Sequence, residues 1–175
     1  MSSYIQSANS TYDAASISPV PHPGAAVAPP EPYRGIYSMP MFMTLESDSL
    51  EESEEFWTKG LGFISLYAMP GVLIHLRRWA FQDVLIRKSD SDPGNSQTTI
   101  QSTVGLSLAV TENQITAMVE ACEILRPGST SAPVRMPWNS IEARIQTPEN
   151  LALALTAALA VDDRQAEDYL REHGR

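Results

Sequence analysis

The sequence predicts an α+β protein made of two successive modules, each consisting of one strand, one helix and three further strands (βαβββ). Three observations carry that prediction. Residues 39–45 (MPMFMTL) have strand character and run into a Ser/Asp cluster, an acidic helix, and then short alternating runs divided by turn residues. The same order returns between residues 104 and 155. Between the two lies a polar, aperiodic stretch, residues 88–97 (KSDSDPGNSQ), which has the composition of a joint.

The first helix has a marked start. Ser49 followed three residues later by Glu52 fits a capping box, and Glu51, Glu52, Glu54 and Glu55 put negative charge beside the positive end of the helix dipole. Leu50, Ser53, Phe56 and Trp57 share one face at helical spacing, so Trp57 is expected in the core against a sheet. Beyond residues 60–63 (GLGF), residues 63–69 read as a strand, Pro70 and Gly71 as a tight turn, and 72–78 as the returning strand; Trp79 and Ala80 then connect to a strand over 81–87. In the second module, 104–110 is the first strand. Thr111 with Gln114 offers a capping box, and Ile115, Met118, Val119, Cys122 and Leu125 form the apolar stripe of a helix that ends at residues 126–128 (RPG). A loop follows, and 140–146 alternates as a strand with one buried face. Cys122 is the single cysteine, excludes an intrachain disulfide and reads as core.

The order of these motifs resembles the vicinal oxygen chelate superfamily, which contains glyoxalase I, extradiol dioxygenases, fosfomycin-inactivating enzymes and bleomycin-resistance proteins. In the first half the resemblance rests on residues 47–53 (SDSLEES), the Phe56-Trp57 helix end and residues 61–63 (LGF). In the second half it rests on 137–144 (PWNSIEAR) and 147–155 (TPENLALAL), where the family commonly reads P-W-G-x-R and D-P-D-G-N-x-x-E-L. It covers about residues 36 to 158. The resemblance implies a curved mixed sheet around a cleft with helices on the convex side. It divides the chain into a flexible Pro/Ala/Ser-rich arm (1–34), a first module with its linker (35–97), a second module (98–160) and a helical tail (161–175). Propensity alone makes residues 151–160 (LALALTAALA) a helix. The resemblance makes them a last strand at least through Leu155, with Ala152 and Ala154 on one face and Leu151, Leu153 and Leu155 on the other. It also implies a homodimer with clefts at or near the interface.

Metal-using members of the superfamily hold a divalent cation on the concave strands with His, Gln or Glu. Carried over onto this sequence, those positions fall at Phe42, near Gly105 and at Ala154, none of which binds a metal. A register slip by one residue would offer Met41, Met43, Leu106 and Leu153 instead. Asp83 is a single carboxylate, and His75 is the only histidine within the modules; His22 and His173 lie in the arm and tail and read as solvated. No metal, no cofactor and no catalytic residue is therefore expected. The small residues Gly105, Ser107, Ala109, Ala152 and Ala154 leave volume for an organic ligand. Phe42, Tyr67, Trp79 and Trp138 are candidate aromatic walls, and His75, Arg77, Asp83, Glu142 and Arg144 candidate polar groups.

The net charge of −9 and pI near 4.7 argue against nucleic acid or an anionic membrane as partner and suit a neutral, cationic or aromatic small molecule. There is no apolar run long enough to span a bilayer and no secretory leader pattern, so a cytoplasmic protein is expected. Six of the 13 prolines lie in the first 34 residues, which read as extended and solvated. The function these readings favour is metal-independent binding of an antibiotic or natural product, protecting a bacterial cell by sequestration. The alternative is a glyoxalase- or dioxygenase-like enzyme (lyase, isomerase or oxygenase) acting on a small organic substrate, with displaced metal ligands or with Asp83, His75 or Glu142 as acid or base. A third reading, a module acting through protein contacts of the arm, stays open.

Overall fold

The computed structural model describes residues 20–21, 23–24, 26–36, 39, 41–89, 105–160 and 171. In chain order the elements are β1 (Met43–Ser47), α1 (Leu50–Glu55) continued by a π-helical turn (Phe56–Gly60), β2 (Ile64–Met69), β3 (Leu73–Arg77) and β4 (Asp83–Lys88). The second module follows with β5 (Gly105–Ala109), α2 (Ile115–Leu125), β6 (Val134–Met136), β7 (Ser140–Gln146) and β8 (Ala152–Ala158). The strands make two four-stranded sheets of the same order, β1-β4-β3-β2 and β5-β8-β7-β6. In each, the first strand runs parallel to the last and the other pairings are antiparallel. The predicted α+β architecture of two βαβββ modules is thus the observed one.

The start of α1 follows from three serines. Ser49 Oγ accepts the Glu52 N–H at 3.2 Å, the Ser49 N–H donates to Ser47 Oγ at 3.1 Å, and the Ser47 and Ser53 hydroxyls meet at 2.7 Å. The Glu52 side chain is therefore not needed for the second half of the box. The helix then widens: the Leu61 N–H reaches back five residues to the Phe56 carbonyl at 3.3 Å. Phe56 and Trp57 are both turned inward, and the Trp57 ring meets Phe63 edge-on with centroids 5.0 Å apart. At the end of this turn Gly60 lets α2 come close, since a Cβ there would lie 2.9 Å from Cys122 Sγ.

One hydrophobic core serves both modules. Ile74, Leu76, Val84 and Ile86 of the first sheet and Ile145, Leu153 and Leu155 of the second belong to the same buried cluster as Phe56, Trp57, Met118 and Cys122 from the helical segments. Burial pushes the Cys122 thiol up to about 12, as befits a packing residue. Two polar struts cross between the modules. Trp57 Nε1 donates to Glu149 Oε2 at 3.1 Å, and Arg78 donates to the Ala109 carbonyl at 2.7 Å and to Gln114 Oε1 at 2.9 Å. Arg78 is 1% exposed and its guanidinium lies 4.1 Å over the Trp79 ring. Desolvation pushes its pKa down to about 10, so it remains a cation at neutral pH.

Several boundaries differ from the sequence reading. β1 begins at Met43 and continues through Ser47, because the parallel ladder to β4 runs on to the Ser47–Lys88 pair. β6 is a three-residue strand in what read as loop. Residues 152–158 are strand despite their helix propensity, paired on both sides by β5 and β7; Asn150, at φ 61°, makes the left-handed turn that aims the chain back into the sheet. The expected C-terminal helix, apart from residue 171, lies outside the described residues, as do His22 and His173.

Candidate functional site

Each sheet turns one face to the shared core and the other away from it, and most of the candidate residues fall on the latter. In the first sheet, Thr44, Leu85, His75 and Tyr67 form one row across β1, β4, β3 and β2, with Arg77 opposite Asp83 in the next. Asp83 is buried and organises the group: its Oδ1 accepts from Arg77 Nε at 2.6 Å and lies 2.7 Å from His75 Nε2. Arg77 Nη1 donates to the Gly35 carbonyl at 2.6 Å. A cation and an imidazole converge on one desolvated carboxylate, the arrangement that makes a buried charge tolerable. Over this face lies a cavity of about 410 Å³ whose lining includes Arg34, Ile36, Met39, Tyr67 and His75.

The second open face is built from small side chains. Gly105 pairs with Ala152, Ser107 with Ala154 and Ala109 with Thr156, while Arg144 and Glu142 of β7 stand opposite Ala154 and Thr156. The floor of Gly105, Ser107, Ala152 and Ala154 carries a cavity of about 490 Å³, with Arg144, Gln146 and the 128–131 loop as walls. Glu123 of α2 pins that loop, accepting the Gly128 N–H and the Thr130 hydroxyl at 2.7 Å each. The Gly128 N–H, and then the Thr130 hydroxyl, hold the Glu123 carboxyl below its usual range. A second hollow of about 250 Å³ lies between Ala109, Thr156 and Ala158 and the arm residues Val20, Pro21, Pro23 and Val27.

The expected site residues separate accordingly. Tyr67, His75, Arg77 and Asp83 come together on the first face, and Arg144 stands on the second. Phe42 precedes β1 and is half-exposed. Trp138 is 60% exposed in the β6–β7 turn, its Nε1 donating to Glu142 Oε1 at 2.7 Å, at the edge of the second face. Trp79 has no place on either face. β3 stops at Arg77, the chain turns, and the ring is 2% exposed between Arg78 and the arm, with Nε1 donating to the Pro30 carbonyl at 3.1 Å. Two participants escaped the sequence reading: Arg34, brought over the first face by the arm, and the 128–131 loop. The arm is fastened to the body by the Trp79–Pro30 bond, by Tyr33 N–H to the Arg78 carbonyl at 2.7 Å and by Asn113 Nδ2 to the Val27 carbonyl at 3.0 Å. No local signal in a proline-rich segment announces such partners.

A divalent cation of the kind the superfamily resemblance implies does not fit these residues. Phe42, Gly105 and Ala154 present a phenyl ring, a hydrogen and a methyl group where donor atoms would stand. Among the described residues no three His, Cys, Asp or Glu side chains lie close enough together to hold an ion, and His75 is engaged by Asp83.

No family model and no curated protein matches the sequence. Solved structures do match in shape. The chain is similar to an integron cassette protein from the mobile metagenome of the Halifax Harbour sewage outfall, at 21% identity and a TM-score of 0.50 over 67% of this chain and 97% of that one. It is similar to a glyoxalase/bleomycin resistance protein/dioxygenase from Nocardioides, at 20% identity and a TM-score of 0.50 over 71% of this chain and 87% of that one. It is also similar to the fosfomycin resistance protein FosX from Listeria monocytogenes complexed with Mn(II), at 12% identity and a TM-score of 0.56 over 77% of this chain and 99% of that one. These likenesses, with the repeated β1-β4-β3-β2 order, give this chain the fold of the vicinal oxygen chelate superfamily.

Proposed function

We propose that this chain is a metal-independent binding protein for a small organic molecule, an antibiotic or related natural product, which it sequesters on its open sheet faces. The observation that carries the reading is the floor of Gly105, Ser107, Ala152 and Ala154 under a cavity of about 490 Å³; two of these, Gly105 and Ala154, stand at positions where the superfamily resemblance would put metal donors. Its size lies in the range of about 300–1,000 Å³ common to ligand pockets. The fold alone does not choose between binding and chemistry; the small side chains of the floor favour binding. Binding asks only for a preformed surface, and the floor residues lie in β5 and β8, anchored through Leu106, Leu153 and Leu155 in the core. Arg144 and Gln146 are the side chains best placed to orient a ligand there.

The test pairs two titrations on the purified full-length protein. Calorimetry with Mn(II), Fe(II), Ni(II) and Zn(II) is expected to give no binding tighter than about millimolar. A screen of antibiotics by quenching of the exposed Trp138 is expected to yield a ligand whose affinity drops at least about tenfold in Ala154→Phe, which fills the floor while its Cβ stays on the open face. One tightly bound ion per chain, or a ligand indifferent to Ala154→Phe, would overturn the proposal.

A further inference from the structure

We infer that the cavity of the first module takes a small organic anion, a carboxylate or similar acid on an apolar or aromatic body, with Arg34 of the arm as its counter-charge. The inference rests on reading the open sheet faces as ligand-binding surfaces and narrows one of them to a chemical class.

The charge around the cavity decides the class. Among the described residues, the lining of this space of about 410 Å³ includes Arg34, Tyr67, His75 and Arg77 and no acidic side chain. Asp83, beneath it, is held by Arg77 and His75 through the same oxygen. Two guanidiniums against one carboxylate leave a positive excess, carried by Arg34, in a chain whose net charge is −9. The acidic composition suits a neutral or cationic ligand; the local balance reverses that preference. His75 supports the arrangement without adding charge. Its Nε2–H is committed to Asp83, so Nδ1 of the neutral ring is an acceptor: His75 fixes Asp83 and shapes the cavity wall, and the counter-charge is left to Arg34. Ile36, Met39 and Leu66 supply an apolar side for the body of the molecule, and Tyr67, 55% exposed on β2, supplies a ring face.

Arg34 is placed rather than merely nearby. On one side of it the Tyr33 N–H is fixed to the Arg78 carbonyl, and on the other the Gly35 carbonyl accepts from Arg77. The strap that roofs the cavity is thus tied down by two arginines of the β3 end, and its own arginine faces the space between. A planar guanidinium recognises a carboxylate with two parallel hydrogen bonds, which a cationic or neutral analogue cannot accept in the same way.

The experiment compares two probes of one shape and opposite charge, 1-naphthoate and 1-naphthylmethylamine, titrated by calorimetry into the full chain and into Arg34→Ala, His75→Asn and Ala154→Phe. Arg34 is exposed, so its replacement is expected to leave the thermal transition in place. Naphthoate is expected to bind at least about tenfold tighter than the amine, to lose about tenfold in Arg34→Ala and less than about threefold in His75→Asn, to weaken as salt is raised, and to ignore Ala154→Phe. Equal affinity for the two probes, no binding of either, or naphthoate binding unchanged by Arg34→Ala would overturn the inference. If binding instead disappears in Ala154→Phe and survives Arg34→Ala, the anion sits on the second face; the first cavity then fails while the binding-protein reading stands.

Discussion

The two open faces are written with the same strand order and the same register logic, yet they carry opposite chemistry. On the first, large polar side chains close over a buried ion group: Arg77, Asp83 and His75, with Tyr67 beside them. On the second, the corresponding area is a floor of Gly105, Ser107, Ala152 and Ala154. Their inward faces are nearly interchangeable, with Ile74, Leu76, Val84 and Ile86 in one and Ile145, Leu153 and Leu155 in the other. The inward pattern is what folding requires, because each sheet must bury one apolar face. The outward pattern is released from that requirement, so that is where the two repeats have room to diverge and where function is to be sought.

The largest expected effect tests whether the first face is held by its charges. Replacing Asp83 by Asn removes the carboxylate from its buried 2.6 Å pair with Arg77, and a broken buried pair typically costs about 3–5 kcal/mol. Urea unfolding should show that loss. Replacing Arg77 by Met in the same background should restore part of it, because the buried cation of the broken pair is then gone. A loss below about 1 kcal/mol for Asp83→Asn would mean that solvent reaches the group and that the face is looser than the 2.6 Å Arg77–Asp83 contact implies.

How much of this contrast was legible beforehand depends on what fixed each residue. Periodicity placed Trp57 and Cys122 in the core, where the structure has them, since a helix face is decided by its own spacing. Alternation likewise divided Gly105, Ser107 and Ala109 from Leu106 and Leu108. Strand 152–158 was legible only through the resemblance: its alanines and leucines favour a helix, and pairing with β5 and β7 overrides them. Trp79 was named as a wall for its ring alone; it follows the end of β3, and its place under the arm is set by a bond to the Pro30 carbonyl that no local pattern encodes. Arg34 and Arg78 were not legible as participants at all. Arg78 depends on Ala109, 31 residues away, and the strap that carries Arg34 depends on Arg77 through Gly35, 42 residues away; no local pattern encodes contacts of that range.

An intermediate effect sharpens the comparison from the side the two faces share. Gly60 and Cys122 set how closely the helical segments of the modules approach, and Gly60→Ala would drive a Cβ to 2.9 Å from Cys122 Sγ. The expected cost is about 1–3 kcal/mol from overpacking. Cys122→Ala in the same chain removes the offending sulfur, so the double variant should be more stable than the sum of the single effects predicts. Strict additivity in thermal or urea unfolding would show that the modules do not meet there, and the single shared core would lose its support.

The smallest expected effect concerns a polar group on the second face. Thr156 Oγ1 is buried without a hydrogen-bond partner, between Ala109, Ala158 and the arm, whereas the polar groups Arg77, Asp83 and His75 of the first face are mutually engaged. An unpaired buried hydroxyl lowers stability, and replacing it with a methyl group of the same shape removes that penalty. Valine also suits a strand at least as well as threonine. Thr156→Val should therefore leave stability unchanged or raise it by up to about 1 kcal/mol, the opposite sign to Asp83→Asn. If the variant keeps that stability but loses affinity for a ligand found in the Trp138 screen, the hydroxyl is reserved for the ligand, and the second face extends from the Ala154 floor to the hollow under the arm. A clear destabilisation without ligand would instead mean that Thr156 is already satisfied in solution, and the contrast between a self-paired first face and an unpaired second one would fail at the residue where it is most exposed to test.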